Sequence, residues 1–125
     1  MEFIEAPAFT RHVGDYLDDD DYRALQTLLT ENPAAGDVMP GTGGFRKLRW
    51  ADPRRGKGRR GGLRVIYYYF LSDSQILLVT IYDKDEAADL TPAEKKALKN
   101  AIAAELDARA ARRLARQSER RRRKL

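Results

Sequence analysis

From Phe9 to Leu29 the apolar residues of this chain recur every three to four positions, and from Phe45 to Tyr82 they alternate with polar ones. A chain whose two periods fall in separate blocks segregates its helices from its strands. That is the pattern of an α+β domain and not of a parallel sheet with interleaved helices. Phe3 to Phe9 reads as a short strand running into a helix near Ala8, with Pro7 close to the helix start. Phe9, Val13 and Tyr16 or Leu17 follow at helical spacing. The run Asp18 to Asp21 supplies an N-cap for a second helix, whose apolar stripe is Tyr22, Leu25, Leu28 and Leu29. Asn32-Pro33 ends it, and Gly36 through Gly44 is expected to be a loop.

Three strands are expected next, at Phe45–Trp50, Leu63–Leu71 and Gln75–Tyr82, with Ser72-Asp73-Ser74 as a tight connection. The Gly- and Arg-dense stretch Ala51 to Gly62 is expected to be a mobile surface loop. Thr91-Pro92-Ala93-Glu94 is a capping box with proline at the first helical position, and Leu98, Ile102 and Leu106 are expected to lay the third helix on the sheet. The predicted order is βααβββα, a mainly antiparallel sheet packed by helices, with a long basic C-terminal helix or tail. At 125 residues the chain suits one core, so we divide it into a domain at 1–108 and a basic extension at 109–125.

Charge is distributed unevenly. Residues 1–44 hold two Arg against nine acids, whereas residues 45–64 hold nine basic residues against Asp52 alone. Residues 109–125 again hold nine basic residues against one acid, Glu119. Two segments of +8 in an otherwise acidic chain are the footprint of a protein that meets a polyanion. An acidic protein partner would relieve their self-repulsion. The absence of cysteine excludes disulfides, thiolate metal sites and a cysteine nucleophile, and fits a reducing compartment, with the cytoplasm as default. No apolar run approaches the roughly 20 residues of a membrane span, and the first ten residues lack the pattern of a signal peptide.

Alternation places Lys47 and Arg49 on one strand face and Arg46, Leu48 and Trp50 on the other, while Arg64, Ile66 and Tyr68 share a face of the next strand. If the faces align, Lys47, Arg49, Arg64 and Tyr68 offer guanidinium forks for phosphate and a ring for stacking on a base, which suits single-stranded RNA. Arg46, Arg54, Arg55, Lys57, Arg59 and Arg60 would add to the RNA-binding surface. The plainer alternative is a solvated edge whose charges prevent aggregation. Lys84, among Asp83, Asp85, Glu86 and Asp89, is either part of a surface ion-pair cluster or stands with Tyr82 at the mouth of the same patch and acts on a phosphodiester. His12 is expected as an ordinary surface or core histidine. Gly41 to Gly44 lacks the Gly-Lys-Ser/Thr ending of a phosphate-binding loop. The aspartates have no paired spacing for a two-metal nuclease.

Three blocks carry a family resemblance. Gly43-Gly44-Phe45-Arg46-Lys47-Leu48-Arg49, Gly61-Gly62-Leu63-Arg64-Val65-Ile66-Tyr67-Tyr68-Tyr69, and Leu78 through Glu86 with Leu90-Thr91-Pro92 resemble the HigB branch of the RelE/ParE toxins of toxin–antitoxin systems, over residues 1–106. The resemblance implies a small RelE-like, microbial ribonuclease-type fold. It also implies a ribosome-dependent endoribonuclease that cuts mRNA without metal or other cofactor, blocks translation in the cytoplasm, and is held inactive by a cognate antitoxin, typically a helix-turn-helix DNA-binding protein. Its partners would be that antitoxin, ribosomal RNA and mRNA, with no membrane and no small-molecule cofactor. Cleavage of this kind uses the substrate's own 2′-hydroxyl, so the protein supplies a base, an acid and positive charge.

Carried over by position, Arg64 matches the phosphate-stabilising arginine, Lys47 and Arg49 the basic residues of the preceding strand, and Lys84 a basic residue after the last strand. The sequence departs at Leu90, where many relatives carry a tyrosine, and it has no histidine in the strand region; Tyr82 or Tyr68 would replace the aromatic. Base and acid stay unassigned, since Lys84 or Lys47 could serve as base only with a pKa well below the usual ~10.4. The extension from Arg109 to Lys124 would grip ribosomal RNA or be covered by the antitoxin. Two other readings remain: a ParE-like inhibitor of DNA gyrase on the same fold, and a non-catalytic RNA- or ribosome-binding module.

Overall fold

The computed structural model describes residues 1–52, 62–87 and 89–124. Strand β1 (Glu2–Glu5) leads directly into α1 (Pro7–Tyr16), with proline in the first turn, where its missing N–H costs no helical bond. Helix α2 (Asp19–Glu31) starts where the Asp18 carboxylate accepts the Asp21 N–H at 2.8 Å, and three aspartates in its first turn suit the positive end of the helix dipole. Strands β2 (Asp37–Val38), β3 (Arg46–Trp50), β4 (Leu63–Phe70) and β5 (Gln75–Asp83) follow, and α3 (Pro92–Arg123) ends the chain. The molecule is an α+β protein with a five-stranded mixed sheet.

The sheet order is β1-β5-β4-β3-β2. Three of its four pairings are antiparallel, and the fourth joins β1 parallel to β5 from Glu2↔Gln75 to Glu5↔Leu78. The expected element order therefore gains one strand. Asp37 and Val38, expected in a loop, pair with Lys47 and Arg46. A turn follows in which the buried Thr42 hydroxyl donates to the Met39 carbonyl at 2.7 Å and accepts the Phe45 N–H at 3.1 Å.

One sheet face packs on α1 and α2. Phe9, Leu17, Leu25 and Leu29 meet Leu48, Leu63, Val65, Tyr67, Ile76, Leu78 and Ile81. Each such side chain contributes about 1.5–3 kcal/mol when fully buried. The Tyr67 hydroxyl is satisfied inside this core, donating to the Pro33 carbonyl at 2.7 Å and accepting the Gly36 N–H at 2.9 Å. It thereby fixes the α2–β2 connection to the centre of the sheet.

The other face packs on α3. Met39, Phe45, Ile66, Phe70 and Ile102 form the buried cluster, with Tyr68, Leu77, Leu90 and Leu98 at its margin. The capping box at the start of α3 is complete: the Thr91 hydroxyl accepts the Glu94 N–H at 3.1 Å, and the Glu94 carboxylate accepts the Thr91 N–H at 2.9 Å. Leu106, expected against the sheet, is 39% exposed instead. Its place is taken by Arg109, whose guanidinium lies 3.7 Å from the Phe70 ring centre and donates to Asp73 at 2.7 Å and to Gln75 at 2.6 Å. The 32-residue helix runs on without interruption to Arg123, so the boundary expected between residues 108 and 109 falls inside one element. Among the described residues, no helix is long and apolar enough to cross a membrane.

Candidate nucleic-acid interface

Residues directly opposite each other in an antiparallel ladder project from the same face. The register pairs Arg49 with Arg64, Lys47 with Ile66, and Arg64 with Tyr82. Ile66 belongs to the α3-side cluster, so Lys47, Arg49, Arg64 and Tyr82 all share the α3 face. Helix α3 covers this face over Phe45, Ile66 and Phe70. Arg49 and Arg64 lie farther along, where β3 ends and β4 begins, and Arg49 is exposed. Three of the cations expected from sequence are thus brought together with Tyr82.

One further side chain completes the group. Asp89, in the link between β5 and α3, accepts the Tyr82 hydroxyl at 3.1 Å and lies 3.6 Å from the Lys47 ammonium. The Tyr82 hydrogen bond, then the positive charge of Lys47, with a smaller contribution from Arg64, hold the Asp89 carboxyl below its usual range. Burial, reinforced by the bond to Asp89, pushes the Tyr82 phenol up to about 12, with Arg64 opposing in part. At neutral pH the pair is therefore a carboxylate acceptor beside a neutral phenol donor. Lys47, Asp89, Leu90 and Lys95 also line an open cleft of about 140 Å³ against Met39 and Pro40.

Sequence reasoning passed over Asp89 except as a neighbour of Lys84. The available signal was the short link from Asp83 to Thr91, which must return the chain to the α3 side of the sheet and so carries Asp89 back over Tyr82.

Other expected residues are placed elsewhere. Arg46 pairs across from Tyr67 on the opposite face, where its guanidinium donates to the Gly36 carbonyl at 2.8 Å and to the Ala34 carbonyl at 3.4 Å. It ties down the α2–β2 connection and does not join the cations on the α3 face. Tyr68 is on the expected face and half-buried. Its ring packs against Phe45 at 5.1 Å and Phe70 at 4.8 Å between centres, within the α3-side cluster.

Lys84 follows the end of β5, so strand alternation no longer fixes its direction; its N–H donates to the Gly62 carbonyl at 2.7 Å and the residue is exposed. Arg54, Arg55, Lys57, Arg59 and Arg60, and most of the expected mobile loop, lie outside the described residues. His12 is on α1, across the sheet from Arg64, 3.8 Å from the Asp15 carboxylate. Among the described residues, no three His, Asp or Glu side chains gather as metal ligands.

Chemically, the arrangement offers two guanidinium groups and an ammonium for a phosphodiester, with a proton acceptor and a proton donor in contact beside them. Fold and site together define an α+β protein with a cationic sheet face left partly open by its last helix. No family model matches the chain.

Proposed function

We propose that this chain is the toxin of a toxin–antitoxin pair, of the RelE/HigB kind, and cuts mRNA on the ribosome. The observation that carries this reading is the convergence of Lys47, Arg49 and Arg64 on one sheet face beside the Tyr82–Asp89 pair. Arg49 and Arg64 hold the scissile phosphate and stabilise the charge that builds on it as the 2′-hydroxyl attacks phosphorus. Asp89, kept ionised by its neighbours, takes the proton from that hydroxyl. Tyr82, a neutral phenol hydrogen-bonded to Asp89, gives its proton to the departing 5′-oxygen and is reprotonated through the same bond. The P–O5′ bond breaks, and a 2′,3′-cyclic phosphate and a 5′-hydroxyl result. Orientation of the RNA is left to the ribosome, which accounts for so spare a set of protein groups. The partner antitoxin is an acidic protein that neutralises the basic segments.

The test is to map mRNA 3′ ends after brief induction. The wild type is expected to generate new ends within translated codons, and Arg64→Ala to generate none. Intact mRNA with a DNA-damage response would transfer the chain to gyrase inhibition. Intact mRNA with salt-sensitive RNA binding would make it a binding module.

A further inference from the structure

Helix α3 is about 48 Å long at 1.5 Å per residue, and only its first two thirds rest on the sheet. Its last salt bridges to the body among the described residues are those of Arg109 and Arg113 to Asp73, at 2.7 and 3.6 Å, with Arg116 adding only a weaker charge interaction with Asp73. Beyond them Leu114 is 64% exposed, and every residue from Leu114 to Lys124 is exposed. Residues 114–124 carry six cations, Arg116, Arg120, Arg121, Arg122, Arg123 and Lys124, against Glu119 alone.

This arm has local reasons to be helical. Ala, Leu, Arg and Gln are strong helix formers, the arginines of the last turn suit the negative end of the dipole, and Glu119 pairs with Arg123 one turn on at 3.2 Å. It lacks any apolar face. Leu114 is the one large apolar side chain from 114 to 124, so neither a membrane surface nor a protein groove that reads apolar anchors has anything to hold. What the helical repeat does produce is a row of cations. Arg112, Arg116 and Arg120 follow at intervals of four and Arg123 at three more, so all four lie on one face over about 16 Å. The ion pairs of Arg112 with Glu105 and Arg123 with Glu119 are exposed and readily exchanged for phosphate.

We propose that this row is a second RNA-binding element, separate from the Arg64 face, that grips the sugar–phosphate backbone of a folded RNA stem without reading its bases. It rests on the reading of the chain as an RNA-binding protein. It lies at the far end of the β4–β5 hairpin from Arg64, since its root is fixed to Asp73 and Gln75. A single strand held at Arg64 and a stem held by the arm are therefore bound at two places at once.

The experiment measures affinity of the full chain for a blunt-ended RNA duplex by fluorescence anisotropy over a range of salt. Two double variants with the same net charge are compared: Arg116→Gln with Arg120→Gln on the row, and Arg121→Gln with Arg122→Gln off it. Glutamine keeps helix propensity, and circular dichroism checks that the helix persists. The row variant is expected to lose about tenfold in affinity, with a salt slope shallower by about 1.5, and the off-row variant less than threefold. Equal losses in both variants, no loss in either, or equally effective competition by polyglutamate or duplex DNA would overturn the proposal. A row variant that keeps its duplex affinity while the wild type cuts mRNA removes the arm alone. A wild type that leaves mRNA intact but loses duplex affinity on the row substitution removes the cleavage reading alone.

Discussion

Arg49 and Arg64 stand directly opposite each other across the β3–β4 ladder, two guanidinium groups on one face of the sheet. Like charges in this position oppose strand pairing, and nothing in the packing of the cores requires them. Asp89 opposes this repulsion by its charge interaction with Arg64.

Replacing Arg64 by glutamine is expected to leave the fold intact, because relief of the cross-strand repulsion opposes the loss of its guanidinium's interactions, the bond to the Leu63 carbonyl among them. Toxicity on expression should nevertheless disappear. Urea denaturation beside a growth assay separates the two effects, and a large fall in stability would reassign Arg64 to a structural role.

Tyr67→Phe removes one oxygen and strands two partners, the buried Gly36 N–H and the half-buried Pro33 carbonyl. A loss of about 1–3 kcal/mol is expected on chemical denaturation, with the fold retained. A neutral result would mean that water replaces the hydroxyl.

Gly41 and Gly43 share a backbone φ of +80°, yet they differ in their surroundings. A Cβ on Gly43 would come 2.9 Å from the Ile102 side chain, whereas one on Gly41 meets open space. Gly41→Ala is expected to cost about 1–2 kcal/mol, the backbone penalty alone. Gly43→Ala should cost distinctly more, because Ile102 is buried and cannot step aside. Equal melting temperatures for the two variants would refute the close approach of α3 to this turn.

Asp73 carries the acid sensitivity of the root of the arm. The hydrogen bond from Arg109 holds its carboxyl below the usual 3.8. A carboxyl depressed on folding stabilises the native state above its unfolded pKa and loses that contribution as pH falls through the folded value. Asp73→Asn should accordingly be less stable than the wild type at neutral pH, and the gap should narrow at a pH taken well below the usual carboxyl value of 3.8. Urea midpoints at the two pH values measure this, and a constant gap between the proteins would count against it.

The helix starts were legible in the sequence because capping is local: Asp18 and Thr91 each reach a backbone N–H three residues away. That Lys47 and Arg49 share a face was legible for a similar reason, since strand alternation needs only the residue number, whereas their alignment with Arg64 waited on the β3–β4 register. What escaped depends on partners distant in sequence. Asp37 and Val38 are a strand only because β3 lies beside them, and β1 is parallel to a strand some seventy residues later. Tyr68 shares the face of Arg64, yet its ring packs against Phe45 and Phe70, which no periodicity reveals. Arg109 was counted by its charge with the basic extension, whereas its guanidinium lies on Phe70 and Asp73.

The parallel seating of β1 against β5 has a consequence for synthesis. Residues 2–5 are synthesised before residues 75–78, so the edge they close is not finished when they emerge. A nascent chain thus carries β1 unmatched until β5 has been made, and one released before that point exposes β-prone sequence to its neighbours. Whatever activity the sheet supports can mature only after β5 has joined it.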